Sequence, residues 1–281
     1  MTASEDESGA QARSGCRLEE AALILLAILD FITPSILAMM AQEQEDRAAE
    51  LLERMREGRL ADRVWLPEAA ESSGCWVYFL TSRGAKVAGQ LGKESVQQPR
   101  VDERTSLLLN HRIAVSQAAA GMMACIGSRR LQAAYLGRRL RRLLKDSTLR
   151  GWYFPDGYLA FSLDERHETI NRHVFLEVDL GTENRGQLIR KFRALETYYL
   201  HDHRGLFGTD RLLAAVTTPT WRRLQQICSA VHEARSRVRV FANLQARVSA
   251  GDQALEGWID CLTGQSMHLS EIPRDAGEGG G

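Results

Sequence analysis

Hydrophobic positions in the first third of the chain recur with helical spacing and then change to strand spacing. The segment "LEEAALILLAILDFI" is apolar on nearly every side and predicts a buried helix, and "PSILAMMAQ" and "EDRAAELLERMREG" predict two more. Thr33 is the expected N-cap of the second helix, with Pro34 at its first position. The runs "RLADRVWL" and "CWVYFLT" then predict two strands, and Thr81 is expected to cap a closing helix, "SRGAKVAGQL".

Three helices followed by a two-stranded wing are typical of a winged helix-turn-helix, which is predicted over residues 17–92. Between Arg17 and Glu94 there are nine Lys/Arg and thirteen Asp/Glu, so a DNA-binding face must gather its cations locally. The same acidic balance also fits a module that docks on another protein, or a purely structural domain. The residues predicted to contact DNA from this domain are Arg54, Arg56, Arg59, Arg63, Arg83 and Lys86.

The second half of the chain alternates helical and strand patterns after a polar linker at residues 92–106. Two helices are predicted first, "LLLNHRIAVSQAAAGMMACI" and "SRRLQAAYLGRRLRRLLKD". The strands "GYLAFSL", "HVFLEVDL", "RLLAAVTT" and "VRVFAN" follow, with the helices "RGQLIRKFRALETYYL" and "TWRRLQQICSAVHEAR" among them. This order predicts an α/β (mixed α+β) domain with a mixed sheet over residues 105–248, then a C-terminal extension with a flexible tail over 249–281.

The second of those helices is unusually basic. From Arg129 to Arg150 there are eight Lys/Arg against one acid, Asp146. Leucines fall on one side of the predicted helix and most of the cations on the other, which suits either a DNA backbone or a solvated surface. The residues predicted to contact DNA here are Arg138, Arg139, Arg141, Arg142 and Lys145.

Composition narrows the class of protein. A hydrophobic content of 44% and a formal net charge of +0 indicate a globular chain that would meet nucleic acid through a local patch. The five cysteines include no C-x-x-C pair, which argues against a zinc finger or a disulfide framework and favours reduced thiols. The acidic N-terminus is unlike a signal peptide, and the apolar run before Asp30 is too short for a membrane span. A cytoplasmic protein without membrane contact is expected.

Three carboxylates are placed where two predicted strands meet. Asp156 opens the strand "GYLAFSL", while Glu177 and Asp179 share one face at the end of "HVFLEVDL". In an antiparallel hairpin these ends lie side by side, and three such carboxylates suit Mg²⁺ or Mn²⁺, which can activate water for attack on a phosphate. The alternative is structural: Asp179 or Thr182 would cap the next helix, and Glu177 would pair with Arg190 or Lys191.

These motifs also carry a family resemblance. The segment "PDGYLAF…FLEVDLGTENRGQLIRKFRALETYY" resembles the plasmid replication-relaxation family, and its order of elements looks like the restriction-endonuclease-like core. The resemblance implies plasmid or mobile-element DNA biology and makes Asp156, Glu177 and Asp179 the site acids. Nucleases of this fold place Lys two residues after the second acid, where this chain has Asp179. Lys191 on the following helix is therefore the candidate catalytic cation.

Three functional hypotheses follow. The first is a DNA-binding accessory protein of plasmid or mobile-element replication, relaxation or transfer that acts without turnover, with DNA and plasmid replication or transfer proteins as partners. The second is a Mg²⁺- or Mn²⁺-dependent endonuclease, or nickase, using Asp156, Glu177 and Asp179. The third is a protein-interaction adaptor whose winged helix is a docking module.

Overall fold

The computed structural model describes residues 4–66, 74–92, 95–99, 106–127, 130–148, 154–165, 168–209 and 212–269. Packing divides the chain into two units, Met1–Ser116 and Gln117–Gly281. The domain limits expected from the sequence stay predictions. None of the helices in the described ranges combines the length and the apolar character needed to cross a membrane.

The first unit consists of helices and one hairpin, in the order expected from the hydrophobic pattern. Its elements are α1 (Ser4–Leu29), α2 (Pro34–Ala41), α3 (Glu45–Glu57), β1 (Ala61–Leu66), β2 (Cys75–Leu80), α4 (Ser82–Gly92) and the first half of α5 (Ser106–Ile126). Strands β1 and β2 pair antiparallel. Both predicted N-caps are confirmed: Thr33 Oγ1 accepts from the backbone N–H of Ile36 at 3.3 Å, and Thr81 Oγ1 from that of Gly84 at 3.0 Å. The winged-helix assignment stays an interpretation of this order.

The hairpin of the first unit packs on an aromatic core. Phe31, which follows α1, is buried with Val77 and Phe79 of β2 and with Ile113 of α5. The guanidinium of Arg112 lies 4.5 Å from the ring centre of Phe31 and donates a hydrogen bond to Asp30 at 3.0 Å. The first half of α5 is thus held to this unit by both an apolar cluster and an ion pair.

The second unit is a mixed α/β domain, as predicted. Its helices after α5 are α6 (Gly137–Leu143), α7 (Arg185–Tyr198), a π-helical turn (Tyr199–His203), α8 (Arg204–Phe207), α9 (Trp221–Ala234) and α10 (Gln245–Ser249). Its strands are β3 (Leu131–Leu136), β4 (Gly157–Glu165), β5 (Glu168–Val178), β6 (Leu213–Thr218), β7 (Arg239–Leu244), β8 (Trp258–Asp260) and β9 (Ser266–Met267). Within the described residues they form one sheet in sequence order, in which β5, β6 and β7 run parallel and the remaining neighbours antiparallel.

Both faces of the central strands are buried. Phe175 of β5 belongs to a core cluster with Leu188 and Phe192 of α7 and Ile227 of α9. The strand residue that follows Phe175, Leu176, points to the opposite face and is also fully buried. Residue 177 is two positions after Phe175 in β5, so its side chain points to the same face of the sheet, which α7 and α9 cover.

Two expectations are corrected by the structure. The stretch 128–146 was expected to be helical, but Leu131–Leu136 is strand β3, paired with β4, and within the described residues 130–146 the helix is limited to Gly137–Leu143. Gly137 separates the two because it adopts φ 48°, a left-handed conformation that glycine takes readily. The short strands β8 and β9 extend the sheet within residues where only an extension was expected.

Candidate functional site

The predicted hairpin brings Asp156 next to Glu177. Gly157 of β4 is paired with Leu176 of β5, so the residues just outside this pair are neighbours at one end of the sheet. Asp156 Oδ2 accepts a hydrogen bond from the backbone N–H of Val178 at 2.9 Å. The carboxylate of Asp156 is therefore held against the end of β5 by the backbone itself.

Glu177 is buried and forms an ion pair with Lys191. The Nζ atom of Lys191 lies 2.8 Å from Glu177 Oε2, and only 3% of the Glu177 side chain and 14% of the Lys191 side chain are exposed. The same ammonium donates to the carboxylate of Glu183 at 3.2 and 3.3 Å. Burial acts to lower the pKa of Lys191, but the negative charges of Glu177, Glu183 and Asp156 outweigh it and raise that pKa above its ordinary value. Lys191 therefore stays protonated at neutral pH.

Asp179 is drawn toward a different helix. Arg223, in the first turn of α9, donates from Nε to Asp179 Oδ2 at 2.6 Å and from Nη2 to Oδ1 at 3.2 Å. Asp179 Oδ1 also accepts from the backbone N–H of Gly181 at 2.8 Å, and Arg223 Nη2 reaches the backbone carbonyl of Glu183 at 2.6 Å. The guanidinium and carboxylate form a bidentate pair, which is among the stronger geometries for such groups.

The helix after β5 is capped by neither Asp179 nor Thr182. Asn184 is the N-cap of α7: its side chain accepts from the backbone N–H of Gln187 at 3.0 Å, and the Gln187 side chain accepts from the backbone N–H of Asn184 at 2.7 Å. This capping box leaves the Asp179 carboxylate available for Arg223.

The three acids therefore do not present a shared set of oxygens to a divalent ion. Both carboxylate oxygens of Asp179 accept hydrogen bonds from Arg223, and Glu177 faces an ammonium at 2.8 Å. Across the described ranges, no group of three or more His, Cys, Asp or Glu side chains is arranged to hold a metal ion. In this arrangement the carboxylates of Glu177 and Asp179 are engaged by Lys191 and Arg223, and the expected Mg²⁺ or Mn²⁺ site stays a prediction.

Arg223 and Glu183 were not predicted as parts of this site. Arg223 lies 44 residues after Asp179, and its only local signal is its position just after Thr220, the N-cap of α9. Glu183 is five residues after the end of β5 and resembles an ordinary loop acid. Only the packing of α7 and α9 against one sheet end brings these side chains to the predicted acids.

A groove opens between α7 and α9 close to this site. Its volume is about 600 Å³, and Asn184, Arg185, Arg222, Arg223, Gln226 and Ser229 contribute to its lining. Arg185 is paired with Glu233 at 2.6 Å, whereas Arg222 makes no ion pair with a described residue. The groove therefore presents guanidinium, amide and hydroxyl groups to solvent.

The cations predicted to contact DNA from the first unit fall into two groups. Arg56 Nε lies 2.8 Å from a Glu53 carboxylate oxygen, and Arg63 pairs with the other oxygen, which also accepts from the Tyr78 hydroxyl. Burial acts to raise the pKa of Glu53, but these hydrogen bonds and positive charges outweigh it and lower the pKa. Arg56 and Arg63 are thus both engaged in ion pairs with Glu53 of the same unit. The exposed members of the predicted set are Arg54, Arg59, Arg83 and Lys86.

The basic segment of the second unit presents its cations outward although it is shorter than predicted. Leu140 and Leu144 are fully buried, while Arg141, Arg142 and Lys145 are exposed. Arg138 and Arg139 are half-buried, and the Arg139 guanidinium lies 5.7 Å from the ring centre of Tyr135. The predicted division between an apolar and a basic side is therefore present in α6 and the turn after it.

Comparison with known proteins gives one relationship. Residues 23–209 match the sequence model of a protein family described as replication-relaxation. The matched range includes the hairpin of the first unit and the site residues Asp156, Glu177, Asp179, Glu183 and Lys191, and it ends before Arg223. No curated protein and no solved structure matches the chain.

Proposed function

This chain belongs to the replication-relaxation family, and from that premise we propose that it is a DNA-binding accessory protein of plasmid or mobile-element replication, relaxation or transfer that acts without catalytic turnover. The proposal that the protein acts without turnover rests on the ion pairs that two of the candidate catalytic acids form with cations of the chain. Glu177 is paired with Lys191 and Asp179 with Arg223, so each meets a cation of the chain. Buried pairs of this kind hold the end of β5 against α7 and α9.

The DNA-binding part of the proposal is supported by exposed cations. Arg141, Arg142 and Lys145 lie on the outer side of α6 and its following turn, and the described ion pair there is Lys145 with Asp146 at 3.8 Å. A phosphate backbone held by such groups releases counterions, which makes affinity fall steeply with salt concentration. Net charge of +0 makes a local patch of this kind necessary.

Salt-dependent DNA binding tests this part directly. Affinity for a plasmid-derived duplex should fall linearly on logarithmic axes with salt, and replacing both Arg141 and Arg142 by Ala should reduce the slope by about 2. Arg190 and Arg193 are two exposed arginines of α7, so the double variant R190A/R193A is a control with the same change of net charge. A wild-type slope near zero, or equal losses in the two double variants, would contradict DNA contact through α6.

The second candidate function is endonuclease activity, and one observation favours it. Lys191 lies 2.8 Å from Glu177 and its pKa is affected by Asp156, so a cation accompanies the two acids on which the nuclease interpretation depends. Nicking of supercoiled plasmid, measured with Mg²⁺ and with Mn²⁺, separates the two functions. Our proposal expects no nicking by the wild type. Nicking that disappears in both D156A and E177Q would instead establish the endonuclease.

The adaptor hypothesis has its own support in the hairpin of the first unit. Trp65 and Trp76 are 47% and 39% exposed, and their ring centres lie 5.0 Å apart. The Arg63 guanidinium lies 3.9 Å from the ring centre of Trp76. Exposed tryptophans beside an arginine are common at protein interfaces. A flat salt dependence of DNA binding would make this hairpin the first surface to test for a protein partner.

A further inference from the structure

Two cysteines that are far apart in sequence meet in the second unit. Cys228 is on α9 and Cys261 directly follows β8, and their Sγ atoms are 3.1 Å apart although 33 residues separate them. Such a pair is not visible in the sequence, where the five cysteines are scattered and predict reduced thiols. The two thiols also lie outside the site around Glu177.

Both sulfurs are held by the packing around them. The backbone N–H of Cys261 donates to Val240 O at 2.9 Å, and the preceding residue, Asp260, is paired with Phe241 of β7. Cys228 packs on the same core cluster as Cys261. A disulfide bond is about 2.0 Å long, so a relative movement of about 1 Å would bring the sulfurs to bonding distance.

From this geometry we propose that Cys228 and Cys261 form an oxidant-sensitive site that a hydroperoxide converts to an intramolecular disulfide. The inference goes beyond the proposed function and does not depend on it. The bond would tie α9 to the end of strand β8, which pairs with β7 and β9.

The surroundings assign different roles to the two thiols. Cys228 is half-buried and within reach of a small oxidant, whereas Cys261 is 2% exposed. The hydrogen bond with Cys261 lowers the pKa of Cys228 and outweighs the effect of burial, while that bond and burial together raise the pKa of Cys261. Cys228 is therefore the thiol that reacts first, and Cys261 resolves the product.

The chemistry is balanced with hydrogen peroxide as the oxidant. The Cys228 thiolate attacks one peroxide oxygen: an S–O bond forms, the O–O bond breaks, and the leaving hydroxide takes up the proton that Cys228 released, giving water and a sulfenic acid. Cys261 then attacks the Cys228 sulfur: the S–S bond forms, the S–O bond breaks, and hydroxide leaves with the Cys261 proton as a second water. Two thiols are oxidised by two electrons, and one peroxide is reduced.

The experiment treats the full chain with a small excess of hydrogen peroxide and maps its peptides by mass spectrometry without reduction. We expect a peptide pair that joins Cys228 to Cys261, lower in mass by two hydrogen atoms and released by dithiothreitol. The variant C125S removes another half-buried thiol and should form the same pair at the same rate. The oxidised wild type should also melt several degrees higher than the reduced protein, because the bond closes a long loop.

The variant C261S separates the two steps. It should stop at the sulfenic acid of Cys228, which a dimedone probe labels, whereas C228S should leave Cys261 unlabelled. The proposal is overturned if wild-type Cys228 passes to sulfinic acid without the cross-link, or if it reacts no faster than Cys125. These two outcomes are measured on the wild type, so they stand even where a variant does not fold.

Discussion

The ammonium of Lys191 lies 2.8 Å from the buried carboxylate of Glu177, across the contact between α7 and the end of β5. The endonuclease hypothesis depends on these two residues, with Glu177 as a site acid and Lys191 as the catalytic cation. The pair joins β5, an interior strand of the sheet, to α7, the helix that covers it. The same contact is therefore expected to stabilise the second unit, and it involves one of the carboxylates on which the endonuclease hypothesis depends.

Replacing Lys191 by Met should destabilise the second unit by about 3 kcal/mol, because it leaves the Glu177 charge buried without its partner. Urea unfolding followed by circular dichroism measures the change. The variant R190M alters an exposed neighbour on the same helix and should stay within about 0.5 kcal/mol of the wild type. Adding E177Q to K191M should recover much of the loss, since the buried charge is then removed. An unchanged loss in the double variant would refute this coupling.

Arg223 should be far more important for stability than its neighbour Arg222. The variant R223A removes the bidentate partner of Asp179 and the hydrogen bond to Glu183 O, and should cost about 2 kcal/mol or more. The variant R222A changes an exposed guanidinium in the same turn of α9 and should be nearly neutral. Thermal unfolding of the two variants gives the comparison. Equal melting temperatures would show that the contacts of Arg223 with Asp179 do not stabilise the protein.

Stability should fall in mild acid because of His173. Burial lowers the pKa of His173 below its ordinary value of 6.5, and its Nδ1 lies 2.6 Å from the Tyr158 hydroxyl. As the pH falls below 6.5, the unfolded state takes up a proton that the folded state resists, so the free energy of unfolding decreases until the folded pKa is passed. Above 6.5 this histidine contributes no pH dependence.

The measurement is the urea midpoint at about pH 7.5 and about pH 5.5. The wild type should lose more stability between these conditions than H173Q, which lacks the titrating ring. The variant H232Q removes an exposed histidine of α9 and should behave like the wild type. If H173Q shows the same acid loss as the wild type, the pH dependence belongs to other groups.

Two of the three glycines of α4, Gly84 and Gly92, should respond differently to Ala. A Cβ at Gly84 would lie 1.8 Å from the backbone oxygen of Leu60, whereas a Cβ at Gly92 would meet nothing within 4 Å. Because a backbone atom cannot give way cheaply, G84A should destabilise the first unit by about 2 kcal/mol or more, and G92A should be neutral or slightly stabilising. Chemical denaturation of both variants tests the difference, and a stable G84A would show that α4 does not pack against Leu60 as described.

The helices and strands with strong periodicity could be predicted, and the exceptions have identifiable causes. The stretch around Tyr135 has helical leucine spacing, yet it is strand β3 because its backbone pairs with β4. Strands β8 and β9 have three and two residues, too few for a period to be recognised. Strand β8 is formed by pairing with β7, and β9 by pairing with β8. Pairing between segments decided these cases.

In the candidate site, too, only some of the side-chain contacts could be predicted from the sequence. Proximity of Asp156 and Glu177 follows from strand order alone, because a hairpin must set the start of β4 beside the end of β5. The pairing of Glu177 with Lys191 was one of two local alternatives. The partner of Asp179 could not be predicted, since Arg223 is 44 residues away and is brought close only when α9 packs on the sheet.

Local periodicity and short motifs in the sequence predict most of the elements, the caps at Thr33 and Thr81, the family and the placement of three acids at one sheet end. Tertiary packing sets the contacts of those acids. Two of them are buried among cations from different helices, and the Cys228 and Cys261 thiols meet across 33 residues. Charge pairing and thiol chemistry act over a few ångströms, and such distances between remote residues are set by packing.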